Sequence, residues 1–190
     1  MNKQEEARHM ALATLAAAPS PEQLVAPLDY VFAEHFRQRT LCWMIDRIAD
    51  EQKRDEEGIA AVLRFLRHDF GQHVVDEEED LFPLLRRRAE PEDRIEEVLG
   101  ELSQEHAADK QDADAITEGL SQAIVGKRFT KALRALLHRF AANERRHLIV
   151  ENAIVLPLAR VRLTGDDLRN LGRRMAARRG IDYPDMPHAV

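Results

Sequence analysis

Apolar residues recur along most of the chain at alternating steps of three and four, the spacing that places them on one face of an α-helix. This periodicity predicts five helices, over approximately residues 28–50, 56–87, 91–120, 130–160 and 164–180. Short connections make consecutive helices antiparallel neighbours. We therefore predict an all-α fold: an up-down-up-down four-helix bundle at 27–162, a loosely attached N-terminal arm at 1–26, and an additional C-terminal helix and tail at 163–190.

The composition agrees with a helical protein and narrows its surroundings. Gly and Pro number only eight each, and the net charge of −6 comes from interspersed acidic and basic residues. This balance gives no reason to expect a nucleic-acid partner. No apolar run approaches the roughly 18 residues that span a bilayer, so we expect no membrane partner. The single cysteine, Cys42, cannot form an internal disulfide, which favours a reducing, cytoplasmic location.

Arginines concentrate in the predicted C-terminal helix, at Arg169, Arg173, Arg174, Arg178 and Arg179. A run of like charges on one helix is usually a solvated face. We therefore interpret these residues as solvent-exposed rather than as a polyanion site. The pattern does not indicate whether a protein partner or a homo-oligomer exists.

Polar residues interrupt the apolar stripes near the middle of each bundle helix. They are His35 in the first helix, His73 and Glu77 in the second, His106 in the third, and Glu144, His147 and Glu151 in the fourth. Burying such groups costs on the order of several kcal/mol each unless they find partners. A bound metal ion would supply those partners. The alternative is a buried salt-bridge network without metal.

Two of the bundle helices share an extended motif at an offset of 74 residues. Residues 73–84 have the sequence HVVDEEEDLFPL, and residues 147–158 have the sequence HLIVENAIVLPL. A histidine and a glutamate four residues apart lie on one helix face. In an antiparallel bundle two such pairs can face each other, so that the two glutamates bridge two cations and each histidine binds one of them. His35 and His106 would complete a set of four histidines.

From about residue 28 to 160, this pattern resembles the hemerythrin-like, or HHE cation-binding, domain. The resemblance rests on the single histidine of the first helix, the two H-x-x-x-E segments with their prolines, and Glu105-His106 in the third helix. It implies that His35, His73, His106 and His147 are terminal iron ligands and that Glu77 and Glu151 are bridges. Imidazole and carboxylate donors suit iron, and less often manganese or zinc.

The chain departs from the oxygen-carrying hemerythrins at one position. Those proteins have a second histidine one turn after the ligand of the third helix, where this chain has Lys110. Glu144, one turn before His147, is our candidate for the missing ligand, although it can equally be a hydrogen-bond partner of the site or a solvent-exposed residue. Asp109 is a weaker candidate. Glu78 rotates off the apolar stripe, and we interpret it as a solvated residue.

Counting donors narrows the expected chemistry. Each iron would receive two histidines, one oxygen from each bridging glutamate and a bridging oxide or hydroxide, which leaves one position open. We therefore expect a protein that binds or senses O₂, NO or iron. An enzyme that acts on peroxide or NO, or an iron donor in metal-centre repair, is the alternative, and a structural or storage cation site is a third. The sequence does not decide whether the protein is an enzyme.

Overall fold

A computed structural model describes residues 3–51, 54–126 and 129–184, and within these ranges the chain forms six helices. In chain order they are α1 (Lys3–Ala16), α2 (Pro27–Asp50), α3 (56–88), α4 (Ile95–Ile124), α5 (131–162) and α6 (Gly165–Arg178). The prediction of an all-α fold with an extra C-terminal helix is confirmed. None of the six described helices has the apolar length that crossing a membrane requires. The end of the predicted tail, 185–190, lies outside the described residues.

Helices α2 to α5 form the predicted bundle. Each packs against the next, and α5 closes the ring against α2. Contacts between α2 and α5 establish their antiparallel direction: His35 lies against Asn152, whereas Asp46, farther along α2, lies against His138, earlier on α5. All four helices can therefore direct side chains toward one level of the bundle axis.

Helices α3 and α5 are not regular throughout, because π-helical turns interrupt them. Two of these turns begin at the glutamates of the repeated motif, at Glu77–Leu81 and Glu151–Val155. A π turn holds more residues than an α turn, so it shifts the register of the residues that follow. Ile154, three residues after Glu151, would point inward in a regular α-helix, but it is 43% exposed, and the next residue, Val155, is buried instead.

The core consists of two apolar clusters with a polar layer between them. One cluster includes Leu41, Phe70 and Phe140, and the other includes Val31, Phe82 and Leu102. On each bundle helix, the predicted site histidine lies between residues of the two clusters. Apolar packing on both sides therefore separates the polar layer from solvent at the two ends of the bundle.

The N-terminal segment differs from the expectation of a loosely attached arm. Helix α1 buries Ala11 and Leu15 in the first apolar cluster. The buried guanidinium of Arg37 donates to the carbonyl oxygen of Leu15 at 3.0 Å, and Arg8 pairs with Asp55 at 2.7 Å. Periodicity did not predict this attachment, because α1 buries only a narrow strip of small and aliphatic residues.

The start of α4 also differs from the prediction that Pro91 opens the helix. Pro91–Asp93 forms a separate 3-10 turn, and Arg94 has a φ of 50°. A left-handed residue cannot continue a right-handed helix, so α4 begins only at Ile95.

Helix α6 begins as the sequence predicts. The side-chain oxygen of its N-cap, Thr164, accepts a hydrogen bond from the backbone N–H of Asp167. The carboxylate of Asp167 in turn accepts one from the backbone N–H of Thr164. The helix then packs tightly against the 3-10 turn at Pro21–Val25. A Cβ atom at Gly172 would lie 2.2 Å from the carbonyl oxygen of Leu24, so only glycine fits at this contact.

Candidate metal centre

Six of the seven predicted site residues converge in the polar layer as two groups. One group consists of His35, His73, Glu77 and Glu151, and the other of His106, His147 and the same two glutamates. Within each group the potential ligand atoms lie within 4.8 Å of one another, and all six residues are buried. The two glutamates belong to both groups, which is the arrangement that two bridged cations require.

Several atoms in this layer have no hydrogen-bond partner among the described residues. They are Nε2 of His35, both carboxylate oxygens of Glu77 and Oε2 of Glu151. Native proteins rarely leave such buried atoms unpaired, because each costs about 1–3 kcal/mol. The unpaired atoms are potential ligand atoms of the two groups, which cations bound there would contact.

The spacing of these atoms also fits a metal site. His35 Nε2 is 3.4 Å from Glu151 Oε2 and 3.6 Å from Glu77 Oε1, and His73 Nε2 is 3.3 Å from Glu77 Oε2. These separations exceed normal hydrogen-bond lengths. Two ligand atoms about 2.1 Å from one cation, at right angles, are about 3 Å apart. The exception is His147 Nε2, which is 2.9 Å from Glu151 Oε1 and makes a hydrogen bond with it.

Each of the four histidines makes a hydrogen bond through Nδ1, the ring nitrogen on the side away from the other site ligands. The partners are Glu34 for His73 at 3.1 Å, Glu78 for His106 at 2.6 Å, Glu105 for His147 at 2.9 Å and Asn152 for His35 at 2.9 Å. A side-chain oxygen that accepts a hydrogen bond from Nδ1–H fixes the tautomer and orientation of the ring, and it leaves Nε2 free to bind metal. We call these four partners the anchor residues.

The sequence did not predict the four anchor residues. For Glu78, the interpretation as a solvated residue was wrong. Glu78 is only partly exposed and contacts His106 and Ser103 rather than solvent alone. A signal for the anchor residues was nevertheless present. Two of them directly precede a site histidine, and the other two directly follow a motif glutamate. Adjacent residues on a helix point in different directions, so neighbours of a ligand can reach the next helix.

Several histidines and carboxylates of the site have strongly perturbed pKa values. Burial opposes protonation of His73, but the Glu77 and Glu34 carboxylates raise its pKa to about 10. In the same way the pKa rises to about 9 for His106 and to about 11 for His147, where Glu151 outweighs burial. Burial favours the neutral form of Glu77, yet His73 and the other site imidazoles hold its pKa well below the usual range. Protonated imidazoles therefore balance the charge of the buried carboxylates, and any metal that binds these histidines would have to displace their protons.

Glu144, the seventh predicted residue, lies outside both groups formed by the described residues. It is buried one turn before His147, and its Oε1 has no hydrogen-bond partner in the described part of the chain. Burial raises its pKa to about 7, partly offset by His147, and burial raises the pKa of nearby Asp109 to about 6. Lys110 is exposed, and its Nζ pairs with Asp114 at 2.9 Å.

The fold and these two groups define the class of protein: a helical bundle with histidine and glutamate sites for metal cations. The family model "Hemerythrin HHE cation binding domain" matches residues 26–159. The chain belongs to this family, as the repeated motif indicated. A search of curated proteins finds no match.

Proposed function

We propose that the chain holds two iron ions. In this proposal His35 and His73 bind one iron, His106 and His147 bind the other, and the carboxylates of Glu77 and Glu151 bridge them. The observation that carries the proposal is the set of buried, unpaired atoms in these groups: Nε2 of His35 in one group, and oxygens of Glu77 and Glu151, which belong to both. The mixture of imidazole and carboxylate favours iron, whereas manganese and zinc are the alternatives that metal analysis would distinguish.

We further propose that the protein binds or senses a small diatomic ligand, O₂ or NO. When bound, a pair of ferrous ions with an open coordination position supplies reversible binding of such a ligand. The donor count supports this function, because two histidines and two carboxylate oxygens leave a six-coordinate ion incomplete. The chain itself contributes dry surroundings, since the two apolar clusters cover the polar layer on both sides.

An apolar groove supports the access of a small non-polar ligand. It has a volume of about 450 Å³, lies between α3 and α4, and is lined by residues that include Phe70, Val74, Ala107 and His106. Lys110, where oxygen-carrying relatives have a further ligand, lies at the border of this groove. This groove gives a small molecule a route toward the site along His106.

The test is anaerobic reconstitution of the metal-free chain with ferrous iron, followed by elemental analysis and optical titration with O₂ and NO. We expect close to two irons per chain, and absorption changes that reverse when the gas is removed. The matched control is the double variant His73→Ala/His147→Ala, which removes one histidine from each group and should abolish metal binding. Full metal content in that variant would refute the metal assignment. Two irons without any response to either gas would refute ligand binding alone.

A further inference from the structure

Helix α6 lies beyond the segment that the family model matches, yet it reaches the metal centre. Nη2 of Arg179, at the end of this helix, is 2.9 Å from Oε1 of Glu34. The other oxygen of the same carboxylate, Oε2, is 3.1 Å from Nδ1 of His73. A continuous line of hydrogen bonds therefore joins the C-terminal helix to a histidine of the site. The arginine run is consequently not a purely solvated face, which corrects the interpretation from sequence.

The backbone around Arg179 is fixed by the way α6 ends. Gly180 has a φ of 66°, which glycine adopts without strain. Its N–H donates to the carbonyl oxygen of Ala177, and the N–H of Ile181 donates to that of Ala176, both at 3.1 Å. These two bonds form the Schellman motif that commonly terminates helices. Arg179 thus leaves the helix at a defined position.

The guanidinium of Arg179 is also held on several sides. Its Nη1 donates to the carbonyl oxygen of Met175 at 3.1 Å, and its Nη2 lies 2.6 Å from a carboxylate oxygen of Asp76 in α3. The guanidinium of Arg179 also lies over the ring of Tyr30, 5.0 Å from the ring centroid. Only 9% of the side chain is exposed. Such a buried, multiply bonded arginine loses little freedom when it orients Glu34.

Glu34 differs from the other acidic anchor residues in its burial. The side chain of Glu34 is 6% exposed, whereas those of Glu78 and Glu105 are 31% and 46% exposed. Water can solvate the two exposed carboxylates, but a buried carboxylate needs a partner of opposite charge. Arg179 supplies that charge and also fixes which way the carboxylate points.

We propose that Arg179 is a positioning residue of the metal centre. Through Glu34 it orients the ring of His73, so the C-terminal helix strengthens binding of the cation held by His35 and His73. The group of His106 and His147 does not depend on this contact. This inference rests on the proposed two-metal site.

The experiment compares Arg179→Gln with Arg178→Gln. Arg178 is the matched control because it also joins α6 to α3, through Asp76 and Asp80. Within the described residues it makes no contact with Glu34. Each metal-free protein is titrated with Co²⁺, whose visible absorption reports the ligand geometry, in competition with a chelator. Circular dichroism and thermal melting of the metal-free variants measure any loss of structure.

We expect Arg179→Gln to weaken one of the two Co²⁺ equivalents by about tenfold, the lower end of the effect seen for outer partners of metal ligands. The other equivalent should bind as in the wild type, and Arg178→Gln should bind both normally. Arg179→Lys keeps the positive charge and should restore part of the lost affinity. If Arg179→Gln does not fold, the nearly isosteric Glu34→Gln should give the same weakening of one equivalent.

Other outcomes would overturn the inference in distinguishable ways. Wild-type affinity for both equivalents in Arg179→Gln, or in Glu34→Gln where that variant is needed, would show that the contact does not position His73. Equal weakening of both equivalents in the Arg178 and Arg179 variants would show that α6 acts only by holding the bundle together. Failure of the wild-type chain to bind Co²⁺ or ferrous iron would instead refute the proposed metal site itself.

Discussion

Removing metal from the proposed two-cation site should lower the thermal stability of this bundle by a large and calculable amount. The six residues of the two groups come from four helices, so an unfolded chain cannot assemble either group. Metal that binds only the folded state stabilises it by about 2.7 kcal/mol per site when its concentration is 100 times the dissociation constant. The two proposed sites would together contribute about 5 kcal/mol, twice that value.

This free energy corresponds to a shift that is easily measured. In a chain of this size, 1 kcal/mol changes the melting temperature by about 2–4 °C, so saturating metal should raise it by about 10–20 °C. The assay is thermal melting by circular dichroism at pH 7, with and without ferrous iron under anaerobic conditions. The quantity compared is the shift that metal produces within each protein, because substitutions also alter the metal-free stability.

Two variants make the assay specific. His73→Ala/His147→Ala should lose the metal-dependent shift entirely. His138→Ala removes a histidine that is 44% exposed and pairs with Asp46 and Asp50, and it should keep the full shift. Equal melting temperatures of the wild type with and without metal would refute the reasoning that the buried polar atoms depend on metal.

Three further predictions concern charge, coordination and packing. In the metal-free chain, three site histidines have pKa values between about 9 and 11, above the value of about 6.5 expected when unfolded. The stability that these protonated histidines contribute to the fold is therefore fully present below about pH 6.5 and is lost as pH rises through 9–11. The free energy of unfolding, measured by denaturant titration, should fall as pH rises to this range, and a flat profile would contradict the pKa values. Glu144→Gln should retain most of the iron but make the two ferric environments more alike by Mössbauer spectroscopy, and unchanged spectra would exclude Glu144 as a ligand. Gly172→Ala should destabilise the fold by about 1–3 kcal/mol because its Cβ would meet Leu24, whereas Gly100→Ala, with no described atom within 4 Å, should not; equal melting temperatures would show that α6 can shift freely.

The repeated motif made the site predictable, because an i to i+4 spacing is a local property of one helix. Pairing a histidine and a glutamate on one face requires no knowledge of the neighbouring helices. The bundle was predictable for a similar reason, since apolar periodicity and short connections determine which faces are buried and which helices are antiparallel. The ligand roles of the site residues, including Glu144, stay predictions that metal analysis can test.

Features that depend on how helices meet were not predictable in the same way. The π turn at Glu151–Val155 changes the register, so Val155 rather than Ile154 faces the core. The contact between Glu78 and His106 joins two helices, and no periodicity within one helix indicates it. The hydrogen bond between Arg179 and Glu34 joins residues that are 145 positions apart in the sequence, and it depends on where α6 packs against the bundle. A charge run alone cannot distinguish such a contact from a solvated face.

The anchor residues cross the bundle in an approximately two-fold pattern. The residue before the α2 histidine anchors the α3 histidine, and the residue before the α4 histidine anchors the α5 histidine. The residues after the two motif glutamates, Glu78 and Asn152, anchor the histidines of α4 and α2. The pattern departs from two-fold symmetry in two places. The partner of His35 is the neutral amide of Asn152 instead of a carboxylate, and the partner of His73, Glu34, is paired with the positive charge of Arg179.

Both of these differences fall on the same group, that of His35 and His73. An amide raises the basicity of an imidazole less than a carboxylate does, and an adjacent cation reduces the negative charge of Glu34. The opposite group has extra carboxyl groups nearby, because Glu144 and Asp109 are buried next to His147. The repeated segments therefore contribute one histidine and one glutamate each to two similar candidate groups, whereas Asn152, Arg179, Glu144 and Asp109 make the electrostatic surroundings of the two groups unequal.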